Sequence, residues 1–219
     1  MAKPGRTSQP RQASGERSDA TRRALLDAAI ESLRFDGYAG ASARAIAARA
    51  GSNQSLVFYH FGSVAQLLLA ALDEVSARRL QRYSTAVEAA ESPSELMAAA
   101  AAIFREDLDE GYVSVLVEMI AGAASSPALG EQVSARLAPW RAFAERAIRA
   151  AVADSPLASL VPVDDAAYAV VALYLGLEML SHLDGDRTHA LALFAQGSRL
   201  AALFTAPVAG SSSTPAATR

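Results

Sequence analysis

An all-α fold of about nine helices is predicted by three observations on this chain. Alanine is abundant in nearly every segment, no stretch shows the β-branched alternation of a strand, and Gly and Pro fall mainly between the periodic segments. The helices divide into an N-terminal three-helix unit, residues 19–63, and a larger helical body, residues 64–205. A basic arm at 1–18 and a tail at 206–219 have too few apolar residues to pack and read as flexible.

The first helix is expected from Ser18 or Asp19 to Gly37, with Leu26, Ala29, Ile30 and Leu33 inward. Ser42 caps a second, whose Ile46, Ala47 and Ala50 share a face. Gly51 supplies the positive φ that a sharp turn into another helix usually needs, and Asn53 caps the third helix. From Gln54 to Phe61 only Val57 and Phe61, four apart, form a clear buried pair, so Gln54, Ser55, Leu56, Phe58, Tyr59 and His60 are expected to face outward. Ser63 and Gln66 read as a capping box opening a fourth helix, with Leu67, Leu68, Ala71, Leu72 and Val75 inward and an end near Ala90. A fifth helix follows Pro93 as far as Leu108, and Gly111 separates it from a sixth, Tyr112 to Ala124. Ser126-Pro127 breaks the chain before a seventh, Leu129 to Val152, bent near Pro139. The eighth, Asp164 to Leu183, and the ninth, Thr188 to Phe204, are joined by Asp184-Gly185-Asp186.

The net charge of −3 hides a division. Residues 1–63 carry nine Lys/Arg against five acids, +4, and the remainder carries eleven against eighteen, −7. A basic module on an acidic body suits phosphate binding at one end. There is no cysteine, which excludes disulfides and thiolate metal sites and fits a cytoplasmic location. Met1 to Arg22 has no apolar run resembling a secretory signal, and the longest apolar run, Ala166 to Leu177, falls short of the roughly 18 residues of a membrane span. No membrane association is expected. Neither is catalysis: no His-Glu-x-x-His, phosphate-binding glycine loop or cysteine nucleophile is present. His182, Asp184, Asp186 and His189 match no metal-ligand set and read as a polar turn in which Asp186 or Thr188 caps the last helix, so no metal and no cofactor are expected.

Two short helices joined by a glycine turn have the layout of a DNA-reading helix-turn-helix, whose second helix offers its first residues to base edges in the major groove. Here those are Gln54 and Ser55, after the cap Asn53. Gln54 can pair bidentately with adenine, Arg44 can reach phosphate or base, and Tyr59 and His60 can hydrogen-bond phosphates. Leu56 and Phe58 either press on the DNA or pack against the first or fourth helix. Helices eight and nine are too apolar to face water on a wide side, through Val170, Leu173, Leu177 and Leu180 in one and Leu191 and Phe194 in the other. A two-fold four-helix interface would cover them, giving a homodimer.

With these helices in order, and the run from Gly51 through Asn53, Gln54, Tyr59, His60 and Phe61 to Ser63, the chain resembles the TetR family of one-component bacterial regulators. The likeness is strongest from Thr21 to Leu72, where Ala28-Ala29, Gly37-Tyr38, Ile46-Ala47, Ala50-Gly51 and Leu67-Leu68 sit at the family's spacing. Three positions depart from it: Val64 where many members have a phosphate-binding lysine, Phe58 for a more frequent tyrosine, and Ser52 for a small apolar residue. The resemblance implies a homodimeric repressor of a palindromic operator in double-stranded DNA, released by a small-molecule effector. It further implies a cavity among helices five to eight, for which Phe104, Glu118, Met119, Trp140, Phe143, Tyr168, Tyr174 and Glu178 are the candidate lining residues. Aromatics with few polar groups suit a mostly apolar effector. The competing expectation is an all-helical small-molecule-binding protein with no DNA-binding role.

Overall fold

The computed structural model describes residues 9–153 and 158–205, and among these the chain forms ten α-helices, one 3-10 turn and no strand. The helices are α1 (Gln9–Gly40), α2 (Ala43–Arg49), α3 (Gln54–Phe61), α4 (Val64–Ala89), α5 (Pro93–Glu110), α6 (Tyr112–Ala123), α7 (Pro127–Ala135), α8 (Ala138–Val152), α9 (Val163–Asp184) and α10 (Thr188–Thr205). The expected seventh helix is therefore two, α7 and α8, and the expected eighth and ninth are α9 and α10. The break falls at Arg136 and Leu137, before Pro139. Pro139 sits in the first turn of α8, where its missing N–H has no ladder partner to lose.

The helix also begins earlier than expected, at Gln9, so the part of the basic arm from Gln9 to Ser18 is helical. The start of the arm, residues 1–8, and the tail at 206–219 lie outside the described residues. The caps follow the chemistry of their residues: Ser42 accepts from the Ala45 N–H, Ser63 from Gln66 N–H, and Ser92 from Glu95 N–H. The Ser63 half of the capping box forms, and the Gln66 side-chain amide donates to Gln132 on α7, at 3.3 Å.

Packing joins the three-helix head to the body. Leu25, Leu26, Ala29, Ile30 and Leu33 of α1, Ile46 and Ala47 of α2, Val57 of α3 and the α4 stripe from Leu67 to Val75 are all buried in one core. Val115, Leu116 and Met119 of α6 and Leu129 and Val133 of α7 belong to the same core, so it crosses the boundary at residue 63 without interruption.

Gly37 lies at the α1–α6 contact, with φ 70° and ψ 177° interrupting α1. Two constraints require glycine here. That backbone region is essentially closed to other residues, and a Cβ would lie 2.9 Å from Glu118 Oε2. Glu118 accepts a hydrogen bond from the Tyr38 N–H at 2.7 Å, satisfying a donor freed by the break. Replacing Gly37 with alanine is expected to destabilise the protein by about 1–3 kcal/mol in chemical denaturation. A variant as stable as the parent would show that the α1 break is not required.

Candidate DNA interface and ligand cavity

The reading head owes its shape to α3 being buried along one line only. Val57 is fully buried, Phe61 is half-buried, and the opposite side carries Gln54, Ser55, Phe58 and Tyr59, all exposed. Phe58 is 51% and Tyr59 77% accessible, so two aromatic rings stand in water beside a glutamine amide at the helix start. Arg44, at the start of α2, is exposed as well.

Three of the expected contact residues have other work in this structure. Leu56 is half-buried and packs on the core, so its outward expectation gives way to the packing alternative. Asn53 is the α3 cap: its Oδ1 accepts from Ser55 N–H at 2.9 Å and from the Ser55 hydroxyl at 3.1 Å. His60 is half-buried, edge-on to Tyr59 and to Phe61.

Not all the positive charge of the head faces outward. Arg49 donates to Ser32 Oγ and Asp36 Oδ2, each at 2.8 Å, clamping α2 onto α1. Arg23 pairs with Glu74 of α4 at 2.8 Å. Arg22 lies over the Phe61 ring at 5.0 Å, at the end of α3.

In the body, α4, α5, α6, α8, α9 and α10 line a cavity of about 370 Å³ that is partly open to solvent. Of the eight residues expected to line it, Trp140, Phe143, Tyr174 and Glu178 do so. The other four do not. Phe104 is fully buried behind the wall, 5.5 Å from the Tyr174 ring and 5.2 Å from Phe194. Met119 belongs to the head–body core, Glu118 holds the Tyr38 N–H, and Tyr168 is 64% exposed on the outside of α9. The cause is common to Glu118 and Met119: α6 turns most of its length toward α1 and gives the cavity only Leu116.

A buried ionic cluster forms the polar end of the cavity. Arg79 Nε donates to Asp107 Oδ2 at 2.8 Å, and Nη2 donates to Glu178 Oε1 and to Tyr174 OH. Tyr174 donates to Asp107 at 3.3 Å and shares a 2.6 Å bond with the Tyr83 hydroxyl, while the guanidinium lies over the Trp140 ring at 5.3 Å. One cation thus serves two carboxylates. Asp107 Oδ1 and Glu178 Oε2 are buried without a hydrogen-bond partner among the described residues. Burial opposes the charge on Arg79, but Glu178, Tyr174 and Asp107 outweigh it and raise its pKa. Burial pushes Glu178 up to about 7 against the pull of Arg79, and it raises Asp107 and both tyrosines as well.

Arg79, Tyr83 and Asp107 were not among the expected site residues. Their signal was spacing: Arg79 and Tyr83 continue the buried α4 stripe at four-residue steps beyond Val75. A charge on an apolar stripe requires a buried partner.

A helix-turn-helix whose second helix offers polar and aromatic groups, sharing a core with a helical body that holds a mostly apolar cavity, defines a DNA-binding regulator. Residues 25–71 match the family described as bacterial regulatory proteins, tetR family, and residues 114–196 match the tetracyclin repressor-like, C-terminal domain. An uncharacterized HTH-type transcriptional regulator of Mycobacterium tuberculosis is 30% identical over 135 residues, 62% of this chain and 69% of that protein. A TetR-family regulator from Rhodococcus sp. has the same fold, with a TM-score of 0.71 and 21% identity, covering 86% of this chain and 100% of that one. The regulator FadR of Bacillus subtilis, solved with stearoyl-CoA, gives 0.69 at 14% identity over 81% of this chain and 96% of that one. The chain belongs to the TetR family of bacterial transcriptional regulators.

The Glu178 shift has a direct consequence for stability. Its carboxyl has a pKa of 4.5 in the ordinary state and about 7 when folded, so between these values the folded protein holds a proton that the unfolded chain has released. The Glu178 contribution to stability is therefore lost as pH rises across that interval, and levels off above it. Melting temperatures of the parent and Glu178→Gln, compared at about pH 5 and about pH 8, are expected to shift in favour of the variant at the higher value. An unchanged difference would show that Glu178 ionises normally.

Proposed function

We propose that the protein is a homodimeric repressor that binds a palindromic operator through two copies of α3 and leaves it when a small, mostly apolar effector enters the cavity. The observation that carries the DNA contact is the outer face of α3, where Gln54, Ser55, Phe58 and Tyr59 stand exposed over a single buried line. In this reading Gln54 reads a base edge, Phe58 presses on a thymine methyl, and Tyr59, Arg44 and Arg22 meet phosphates.

The dimer reading rests on α9. It is long and apolar enough to cross a bilayer, yet it presents an exposed stripe of Tyr168, Leu173, Met179, Leu180 and Leu183, joined by Leu193 of α10. A stripe of this size is favourable to cover, and a second copy related by two-fold symmetry covers it while setting two reading heads about 34–36 Å apart. The membrane alternative is opposed by the fully buried Glu178–Arg79 pair on the other side of α9. A regulator of this kind works in the cytoplasm, where the DNA is.

Release requires the effector to favour the DNA-incompetent arrangement by about 1–3 kcal/mol. Two helices connect cavity and head in this reading. α4 lines the cavity with Arg79, Tyr83 and Val87 and packs Leu67 and Leu68 under the head; α6 lines it with Leu116 and holds Tyr38 through Glu118.

Operator fragments selected from genomic DNA test the reading. On such a duplex, Gln54→Ala is expected to cost about 1–3 kcal/mol and to relax sequence preference, whereas Arg44→Ala weakens cognate and scrambled duplexes alike. Equal loss on both duplexes for Gln54→Ala would remove base readout by α3. Leu180, 57% exposed and outside the cavity wall, separates the dimer question from the cavity. Leu180→Asp is expected to yield monomers in sedimentation with at least about tenfold weaker operator binding, and a dimer of parental affinity would place the seam elsewhere.

A further inference from the structure

We propose that the cavity takes a largely apolar molecule whose one polar group is an uncharged hydrogen-bond acceptor, a ketone, ester or other carbonyl, held by Nη1 of Arg79. The inference rests on the cavity being the effector site.

The polar side chains of the cavity wall are Arg79, Tyr83, Trp140, Tyr174 and Glu178, and most of their hydrogens are spent within the protein. The Trp140 N–H donates to Ser76 Oγ at 2.7 Å. The Tyr174 hydroxyl donates to Asp107 at 3.3 Å and, with its hydrogen so used, accepts from the Tyr83 hydroxyl at 2.6 Å. Arg79 Nε donates to Asp107, and Nη2 donates to Glu178 and Tyr174. The two hydrogens of Arg79 Nη1 are left over: this nitrogen makes no hydrogen bond among the described residues, yet it is not sealed in. The unmet acceptors are placed the other way. Glu178 Oε2 and Asp107 Oδ1 are both shut off from contact, so neither offers a lone pair to an occupant. The cluster thus turns a donor edge to the cavity and keeps its spare oxygens behind it. Whatever displaces water from that N–H must return an acceptor to it.

Charge selects further among acceptors. Arg79 already faces two carboxylates. A carboxylate or phosphate head would set a third anion on one guanidinium in apolar surroundings, where its desolvation is not recovered. An ammonium head has no lone pair to offer Nη1 and brings cation against cation. A carbonyl oxygen meets the N–H and leaves the charge balance as it stands. The remaining wall, with Leu96, Met97, Phe143, Ile148 and Val171, offers only apolar contact for the rest of the molecule.

Titration calorimetry with 2-octanone, 1-chlorooctane, octylamine and octanoate tests the assignment. In the parent, 2-octanone is expected to bind at least about tenfold tighter than octylamine or octanoate. The triple variant Arg79→Met/Asp107→Asn/Glu178→Met removes the guanidinium together with the carboxylates it serves, so that no buried charge is left unpaired. In it, 2-octanone is expected to lose about tenfold in affinity, whereas 1-chlorooctane, which has no comparable acceptor, changes by less than about twofold. The infrared carbonyl stretch of the bound ketone is expected to lie below its value in water, as a charge-assisted bond gives, and to rise in the variant. Equal changes for ketone and chlorooctane, octanoate or octylamine as tight as the ketone, or a stretch at or above its value in water overturns the carbonyl assignment and leaves the cavity as a ligand site. Ala147→Phe adds a ring to the wall about 10 Å along α8 from Trp140, away from the ionic cluster, and is expected to abolish all binding. If no probe binds, or if Ala147→Phe binds them as the parent does, the cavity reading fails and the assignment with it. Should the triple variant not fold, the order of affinities and the carbonyl stretch in the parent decide the matter.

Discussion

The whole molecule depends on one packing constraint: α1 must lie against both α4 and α6, so that the small head has no core of its own to fold around. A unit of this size buries only a modest share of its surface by itself and is marginal alone. The chain solves this by running the core of the head into α6 and α7, with Met119 and Val115 as fully buried as Leu25 and Leu33. Gly37 and Glu118 mark the tightest point of that contact. The α1 break there lets Tyr38 turn onto α6, where the ring fits against Gly122 so closely that a Cβ would stand 2.6 Å from it. A head held in this way cannot tilt without disturbing α6 or α4, and both helices reach the cavity wall.

The cavity carries the opposite kind of constraint. Burying Arg79, Asp107 and Glu178 together costs desolvation that apolar side chains of similar volume would avoid, and two carboxylate oxygens remain unmet. The stability of the fold does not require such a cluster, and the head–body core, which is almost entirely aliphatic, shows how the same helices pack without one. The ion pairs of the cluster tie together the three elements that supply it, α4, α5 and α9.

The elements most legible in the sequence were those governed by local chemistry. Serine and asparagine caps, the Gly51 turn and the apolar stripes of α1 and α4 fell where spacing put them, because a helix cap or an i, i+4 face involves residues close in the chain. The errors came from partners distant in sequence. The formal charge count could not show that Arg49 is held by Asp36 and Ser32 on α1, and Glu118, expected at the cavity, instead accepts the Tyr38 N–H at the α1 break. For Leu56 the sequence left DNA contact and packing open, and the side chain is half-buried against the core. For the cavity, periodicity located the helices but not which side each would turn inward. Trp140 and Tyr174 were found through residue type, and Arg79 was passed over because an arginine on a helix is ordinarily a surface residue.

α9 ties these constraints together, because it is committed on two sides at once. Its inner side contributes Tyr174, Leu177 and Glu178 to the cavity and packs mainly on α8, while its outer stripe from Tyr168 to Leu183 is the surface assigned to the second copy. Val170 and Leu173 belong to both, lining the cavity and remaining half open to solvent. In the proposed dimer, an occupant of the cavity would meet the helix that also forms the seam, as well as α4 and α6. The spacing of two α3 helices across a duplex depends on the seam angle and on the tilt of each head. In that proposal a displacement of α9 would alter the first and a displacement of α4 or α6 the second. Tightly packed helices transmit such shifts instead of absorbing them.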